Sequence, residues 1–197
     1  MKAFTAVKMA HFLIKDKLAA ATRVIDATAG NGNDTLFLAR HTPSTAIIHA
    51  FDIQQTALHK TKQLLEEYGL LDKVTLILDS HTNLSQYGTQ PADIIMFNLG
   101  YLPGAMHCIT TMKESTLEAV RASMELLAVG GIITIAVYHG HPEGQQELEA
   151  LQCFLENIPQ TSYTVASWQM VNQINRPPVL YVIEKLRGDA REGAATI

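Results

Sequence analysis

The chain has 197 residues, of which 47% are hydrophobic, so it is long enough to bury a full core and is expected to form one domain. A net charge of -4 gives no overall attraction for nucleic acid, so any RNA contact has to be local. No apolar run approaches the roughly 20 residues of a membrane span, and Lys15, Asp16 and Lys17 interrupt any signal-peptide core. Because Cys108 and Cys153 match neither a metal spacing nor a disulfide framework, we expect a reduced, cytoplasmic protein without a bound metal.

Hydrophobic periodicity predicts alternating helices and strands. Apolar residues at helical spacing predict an amphipathic helix over residues 4–20, expected simply to cover a sheet. Ser115 and Glu118 have the spacing of a capping box, and Gly130-Gly131 would stop the helix that follows. Further helices are predicted after Asp34, over 57–68 and over 148–158, and strands over 24–25, 47–52, 74–78, 93–97, 132–138, 162–170 and 179–184.

The order of these elements predicts an α/β fold. Five strands alternate with helices, and the last two strands have no room for a crossover helix between them. We therefore expect a seven-stranded, mostly parallel sheet with one antiparallel strand and helices on both faces, the Rossmann-like layout of class I methyltransferases. The domain is expected to cover residues 1–187, with a loose tail over 188–197.

The segment D-A-T-A-G-N-G-N-D, from Asp26 to Asp34, reads as a strand end, a glycine turn and a helix start. Gly30 and Gly32 allow close backbone approach to a ligand, but the third glycine of a dinucleotide fingerprint is replaced by Thr35. Asp52 follows the next strand, where a carboxylate can accept both hydroxyls of a ribose. The pattern favours nucleoside binding, with S-adenosylmethionine (SAM) preferred to NAD.

Asn33 and Asp34 are suited to capping the helix that follows the glycine turn. Polar residues also follow the third predicted strand, as Asp79-Ser80-His81. Ligands in such sheets lie beyond the carboxyl ends of the strands, so these residues are candidates for the same site. Asp79 and Ser80 are equally suited to a turn.

The fourth predicted strand ends in Asn98-Leu99-Gly100-Tyr101, which resembles the N-P-P-Y motif of methyltransferases that act on amino groups. In that motif the Asn oxygen and the next backbone carbonyl accept hydrogen bonds from the target amine, and the Tyr ring stacks on the base. These acceptors aim the nitrogen lone pair at the methyl group. Leu99 and Gly100 stand where the motif has prolines, and N-L-G-Y-L-P-G is also a good turn sequence.

His139 and His141 follow the fifth predicted strand and would face the same mouth of the sheet. A proton-handling or phosphate-contact role is preferred to metal ligation, because no Cys or further His lies at ligand spacing. His107 and Cys108 lie in the loop after N-L-G-Y, and Cys108 is interpreted as a packing residue.

Taken together, these blocks closely resemble the YtqB/MnmM-type methyltransferases over residues 9–185. The resemblance is carried by D-A-T-A-G-N-G-N-D-T, F-D-I-Q, D-S-H, N-L-G-Y-L-P-G, I-T-T, V-Y-H-G-H-P-E-G and N-Q-I-N-R-P-P. It implies methylation of 5-aminomethyl-2-thiouridine at the tRNA wobble position, SAM as cofactor, and a homodimer. Relatives tend to have an acid soon after the P-G pair, where this chain has Ala105-Met106-His107-Cys108.

The resemblance assigns cofactor contacts to matching residues, namely Asn31, Asn33, Asp52, Gln54, Ser80 and His81. The glycine turn adds Asp26, Ala29, Gly30 and Asp34 to the predicted cofactor site. Asn98 and Tyr101 would act on the substrate together with His139 and His141, while Leu99, Gly100 and Arg176 would contact it. Two other readings stay open: methylation of rRNA or a small amine, and a nucleoside-binding or NAD-linked protein without methyl transfer.

Overall fold

The computed structural model describes residues 4–100 and 113–187. Its centre is one seven-stranded sheet with the strand order β3-β2-β1-β4-β5-β7-β6. The strands are β1 (Arg23–Asp26), β2 (Ile47–Asp52), β3 (Val74–Leu78), β4 (Ala92–Leu99), β5 (Leu127–Val137), β6 (Tyr163–Trp168) and β7 (Val179–Lys185).

Within the described residues, five α-helices connect or cover these strands. They are α1 (Ala6–Leu18), α2 (Asn33–His41), α3 (Gln55–Glu67), α4 (Lys113–Leu126) and α5 (Pro142–Glu156). Two short 3₁₀ segments, Leu71–Lys73 and His81–Tyr87, lie before and after β3. The predicted tail over 188–197 lies outside the described residues.

The strand directions confirm the predicted sheet. Parallel pairing joins β3, β2, β1, β4 and β5 in that order. Strand β7 is antiparallel to both of its neighbours, β5 and β6, so among the strands that the structure describes it alone runs against the rest. Because the other strands share a direction, their carboxyl ends meet at one edge of the sheet.

Alternating residues of the central strands face two layers of helices. On β4, Ile95 and Phe97 belong to the core that includes α4 and α5. Ile94 and Met96 face the opposite side, where they pack with the buried face of α1. A third cluster joins α2 and α3 to β2. Alternation with a period of two residues explains why one strand can hold both layers.

The region between α4 and β5 differs from the prediction. Strand β5 begins at Leu127, so Gly130 and Gly131 lie inside the strand instead of ending the helix. Between Leu127 and Ile132 the pairing with β4 shifts register, and Gly130 has a φ of 73° there. Ser115 lies within α4 and cannot be its N-cap. Glycine here serves a strand irregularity, which the sequence pattern does not distinguish from a helix stop.

Within residues 4–100 and 113–187, no helix combines the length and hydropathy needed to cross a membrane. The same residues contain no cluster of three or more His, Cys, Asp or Glu side chains placed to bind a metal ion.

Candidate active site

Glycine conformations and backbone hydrogen bonds determine the shape of the glycine turn between β1 and α2. Gly30 and Gly32 have φ values of 55° and 83°, in the left-handed region that favours glycine. The Ala29 amide donates to the Phe51 carbonyl at 2.8 Å, and the Gly32 amide donates back to the Ala29 carbonyl at 2.8 Å. A Cβ on Gly32 would lie 2.8 Å from the Cα of Thr61 on α3, so the close approach of α3 also requires glycine.

Asp52 closes this turn from the end of β2. Its Oδ2 accepts from the Gly30 amide at 2.9 Å, and its Oδ1 accepts from the Gln54 amide at 2.8 Å. A carboxylate offers about four acceptor positions, so both oxygens can still accept from other donors. Asp52 therefore holds the turn in shape while it keeps the acceptor capacity that a ribose would use.

Asp26 lies beneath the turn and is fully buried. Its carboxyl accepts from the Thr28 amide at 3.1 Å and from the Thr35 hydroxyl at 2.6 Å. Burial, and then the charge of Asp34, raise the pKa of Asp26 to about 7 despite these donors. The group is thus partly protonated at neutral pH and supports the turn as a buried hydrogen-bonding residue.

Asp34 connects three elements at the mouth of the sheet. Its Oδ1 lies 2.6 Å from the His11 Nε2 on α1, and its Oδ2 accepts from the side-chain amide of Asn98 at the end of β4. The predicted capping by Asn33 and Asp34 is wrong, because Gly32 occupies the N-cap of α2. The Asp34 carboxylate is instead committed to long-range partners.

His11 was not a predicted site residue, since its helix was expected only to cover the sheet. The helix does cover the sheet, but the His11 ring reaches the mouth and stacks on Phe37, with ring centroids 3.7 Å apart and planes 1° from parallel. Tyr138 was missed as well. Burial and the negative charge of Asp34 raise the pKa of Tyr138. The Tyr138 hydroxyl is therefore close enough to the Asp34 carboxylate to interact with its charge.

The end of β4 presents Asn98, Leu99 and Gly100 as predicted. The backbone N–H of Asn98 donates to the Thr28 hydroxyl at 2.7 Å, which fixes the Asn98 backbone over the glycine turn. The Leu99 carbonyl accepts from the Tyr138 amide at 3.0 Å, which uses one of its two lone pairs. Gly100 packs against Tyr138: a Cβ there would lie 3.1 Å from the Tyr138 Cβ. Tyr101, His107 and Cys108 lie outside the described residues.

Ser80 and His81 follow β3 on the same edge. The Ser80 hydroxyl caps the 3₁₀ segment by accepting from the Thr82 amide at 3.2 Å. The His81 ring packs edge-on against Phe97, with centroids 5.9 Å apart. Burial lowers the pKa of His81, and its buried Nε2 has no hydrogen-bond partner in the described parts of the chain. His81 therefore borders the site as a neutral imidazole whose Nε2 is able to form a further hydrogen bond.

The predicted histidines after β5 have structural partners. His139 Nε2 lies 3.0 Å from the Pro177 carbonyl, so this nitrogen carries a proton and donates. His141 is the N-cap of α5, where its Nδ1 accepts from the Gly144 amide at 3.0 Å. The contact with Pro177 ties the loop before β7, including Arg176, to the end of β5. Arg176 is exposed and has a φ of 42°.

The remaining predicted cofactor residues lie around the turn. The Asn31 side-chain oxygen is 3.4 Å from the Lys60 ammonium group on α3. Asn33 is the exposed first residue of α2, and Gln54 is the residue before α3. The structure thus brings the predicted residues from β1, β2, β3 and β4 to one edge.

The raised pKa of Asp26 predicts a pH dependence of stability. The unfolded carboxyl has a pKa of 3.8 and the folded one of about 7, so the folded state holds the proton more tightly. Asp26 therefore destabilises the fold progressively as pH rises from about 4 to about 7, by at most about 4 kcal/mol. Asp26→Asn should remove this loss, so the variant should gain stability relative to the native chain over that range.

Denaturant unfolding of both proteins at several pH values measures the difference. Asp72→Asn is the matched control because Asp72 is exposed. Parallel stability curves for Asp26→Asn and the native chain would contradict the assignment of a protonated Asp26.

Comparison with known proteins agrees with this geometry. The family model described as "Putative rRNA methylase" matches residues 48–184. The chloroplastic tRNA (mnm(5)s(2)U34)-methyltransferase of Arabidopsis thaliana is 33% identical over 190 residues, which cover 91% of this chain and 69% of that protein.

Two crystal structures extend the similarity to nearly the whole fold. A Clostridium thermocellum protein, described in the same words as the family, is 40% identical with a TM-score of 0.88, over 94% of this chain and 100% of that chain. A "putative methyltransferase" of Streptococcus mutans, in complex with S-adenosylhomocysteine (SAH), is 39% identical with a TM-score of 0.82 at the same coverages. The chain therefore belongs to this rRNA methylase family and has the class I methyltransferase fold.

Proposed function

We propose that this protein transfers a methyl group from SAM to the amino group of 5-aminomethyl-(2-thio)uridine at tRNA wobble position 34, giving mnm5s2U. The observation that carries the proposal is the fixed orientation of Asn98 at the end of β4, beside the glycine turn. Its backbone N–H donates to the Thr28 hydroxyl, and its side-chain amide donates to Asp34. The Arabidopsis relative, whose name specifies a tRNA mnm(5)s(2)U34 methyltransferase, supports this choice of substrate.

The edge of the sheet fits SAM. Asp52 would accept the ribose hydroxyls, and the turn around Gly30 would take the amino-acid tail, which needs no pyrophosphate cradle. The spare Nε2 of His81 and the neighbouring Ser80 would border the adenine. SAM supplies a methyl group on a positively charged sulfonium, and its product is the SAH that the Streptococcus mutans relative contains.

Asn98 would orient the acceptor nitrogen. Its side-chain NH₂ is directed at Asp34, so its Oδ1 is the atom that can accept from the substrate amine. The remaining lone pair of the Leu99 carbonyl would be the second acceptor. Two acceptors fix two N–H bonds and so aim the nitrogen lone pair for in-line attack on the methyl carbon.

The amine must also lose a proton before it can attack. An alkylammonium has a pKa of roughly 10, so populating the neutral amine at pH 7 costs about 4 kcal/mol. Desolvation and a base would share this cost. Of the two predicted histidines, His139 is the better base, because its Nε2–H donates to Pro177 and its buried Nδ1 has no partner among residues 4–100 and 113–187. His141 uses its Nδ1 to cap α5.

RNA contacts would come from the rim of the same edge. Arg176 is exposed and precedes Pro177, whose carbonyl accepts from His139, and its guanidinium would contact a phosphate beside the substrate base. Tyr101 would stack on the base, as in the N-P-P-Y motif. Lys8, on the exposed side of α1, is a further candidate for a phosphate contact.

Methylation of rRNA is the second candidate function, and the description of the matching family favours it. Purified protein can be offered SAM with tRNA or with rRNA, each taken from a strain that lacks the enzyme. Formation of mnm5s2U in tRNA alone would support the first proposal, whereas methylation of rRNA alone would replace it. We also infer a homodimer and a cytoplasmic location, which light scattering and cell fractionation would test.

Replacement of Asn98 by Ala should slow methyl transfer to tRNA by about 100-fold, because the acceptor nitrogen loses its orienting partner. The affinity for SAH should stay within about threefold of the native value, since the variant leaves Asp52 and the glycine turn intact. Single-turnover kinetics and calorimetry measure the two quantities. Gln160→Ala, an exposed amide beyond the end of α5, is the control. Near-normal transfer by Asn98→Ala would refute the assignment.

Salt dependence should identify the phosphate contact of Arg176. Arg176→Ala should weaken binding of the anticodon stem-loop and reduce the slope of log K against log salt by about one unit. Arg187 is the matched control, because it is exposed and follows β7 at the opposite edge of the sheet. An unchanged slope for Arg176→Ala in a fluorescence titration would exclude this contact.

A further inference from the structure

The side-chain amide of Asn98 is held in one orientation by a charged partner. The side-chain nitrogen of Asn98 donates to Asp34 Oδ2, so the NH₂ group of Asn98 faces the carboxylate. The planar amide then directs Oδ1 away from Asp34. Since the Asn98 backbone is fixed by the Thr28 hydroxyl at 2.7 Å, side chain and backbone are restrained together.

The other oxygen of Asp34 is restrained from α1. His11 Nε2 lies 2.6 Å from Asp34 Oδ1, and it must carry the proton because the carboxylate only accepts. The His11 side chain is 21% exposed and that of Asp34 is 12% exposed, so water competes weakly for this contact. The His11 ring is itself held in place by its parallel stack on Phe37.

The resulting chain runs from His11 through Asp34 to Asn98 and spans three elements of the fold. We propose that His11 and Asp34 are positioning residues for methyl transfer, which orient the Asn98 amide so that Oδ1 accepts from the substrate amine. This inference rests on the proposed function. It assigns Asp34 to the acceptor side of the reaction, in contrast to the cofactor contact predicted from the sequence, and it gives His11 a role in the site.

Variants of both residues should slow the methyl-transfer step without weakening cofactor binding. Asp34→Ala should reduce the single-turnover rate on tRNA from a strain lacking the enzyme by about 30-fold, and His11→Ala by about fivefold. The SAH dissociation constant should change by less than threefold in each. His11→Gln, whose amide can donate from the position of Nε2, should recover most of the rate. His59→Ala on α3 is the control, because His59 is exposed.

A double-mutant cycle separates positioning from a general structural effect. If His11 and Asp34 act through Asn98, their replacement in the Asn98→Ala background should lower the rate by less than a further twofold. Full additivity, or a rise of more than tenfold in the SAH dissociation constant of Asp34→Ala, would overturn the proposal. Failure of the proposed function has a different signature, namely no methyl transfer to this tRNA by the native protein itself.

Discussion

The carboxylate of Asp34 is the contact on which the geometry of the site depends. It binds His11 on α1 and Asn98 at the end of β4, while Asp34 itself belongs to the first turn of α2. Each of these elements is placed by the hydrophobic layers on the sheet, but the layers alone do not orient a side-chain amide. The Asp34 carboxylate orients the Asn98 amide, because each of its two oxygens accepts from a different partner. The oxygen that faces Asn98 determines both the direction of the amide and which of its atoms points toward Asp34.

Negative charge is concentrated at the carboxyl edge of the sheet. Asp34 and Asp52 lie around the glycine turn, and burial together with the charge of Asp34 raises the pKa of Asp26 and of Tyr138. In the proposed reaction, both the sulfonium of SAM and the ammonium form of the substrate are cations, so an acidic edge would attract both. Because its pKa is raised to about 7, Asp26 is partly protonated at neutral pH. Burying this third carboxyl group close to Asp34 and Asp52 therefore costs less free energy than burying a fully charged one.

Local sequence patterns were sufficient to predict the sheet and the polar residues at most of its strand ends. Alternating apolar segments predicted seven strands with one antiparallel, and Asp52 and Asn98 were expected at the edge where they lie. The errors concern glycine and capping: Gly130 serves a strand irregularity, and Gly32 takes the N-cap of α2. His11 was missed because its partner is 23 residues away and the link from Asp34 to Asn98 spans 64. Helical periodicity places a residue on a face but does not name its partner on another element.

The most direct test of the proposed function is nucleoside analysis of tRNA from a strain that lacks this protein. Mass spectrometry should detect the unmethylated 5-aminomethyl nucleoside in place of mnm5s2U, and the native gene should restore the methylated form. The same strain carrying the Asn98→Ala variant should retain the unmethylated nucleoside, because the amine would no longer be oriented for attack. An unchanged nucleoside profile in the deletion strain would contradict the proposed function.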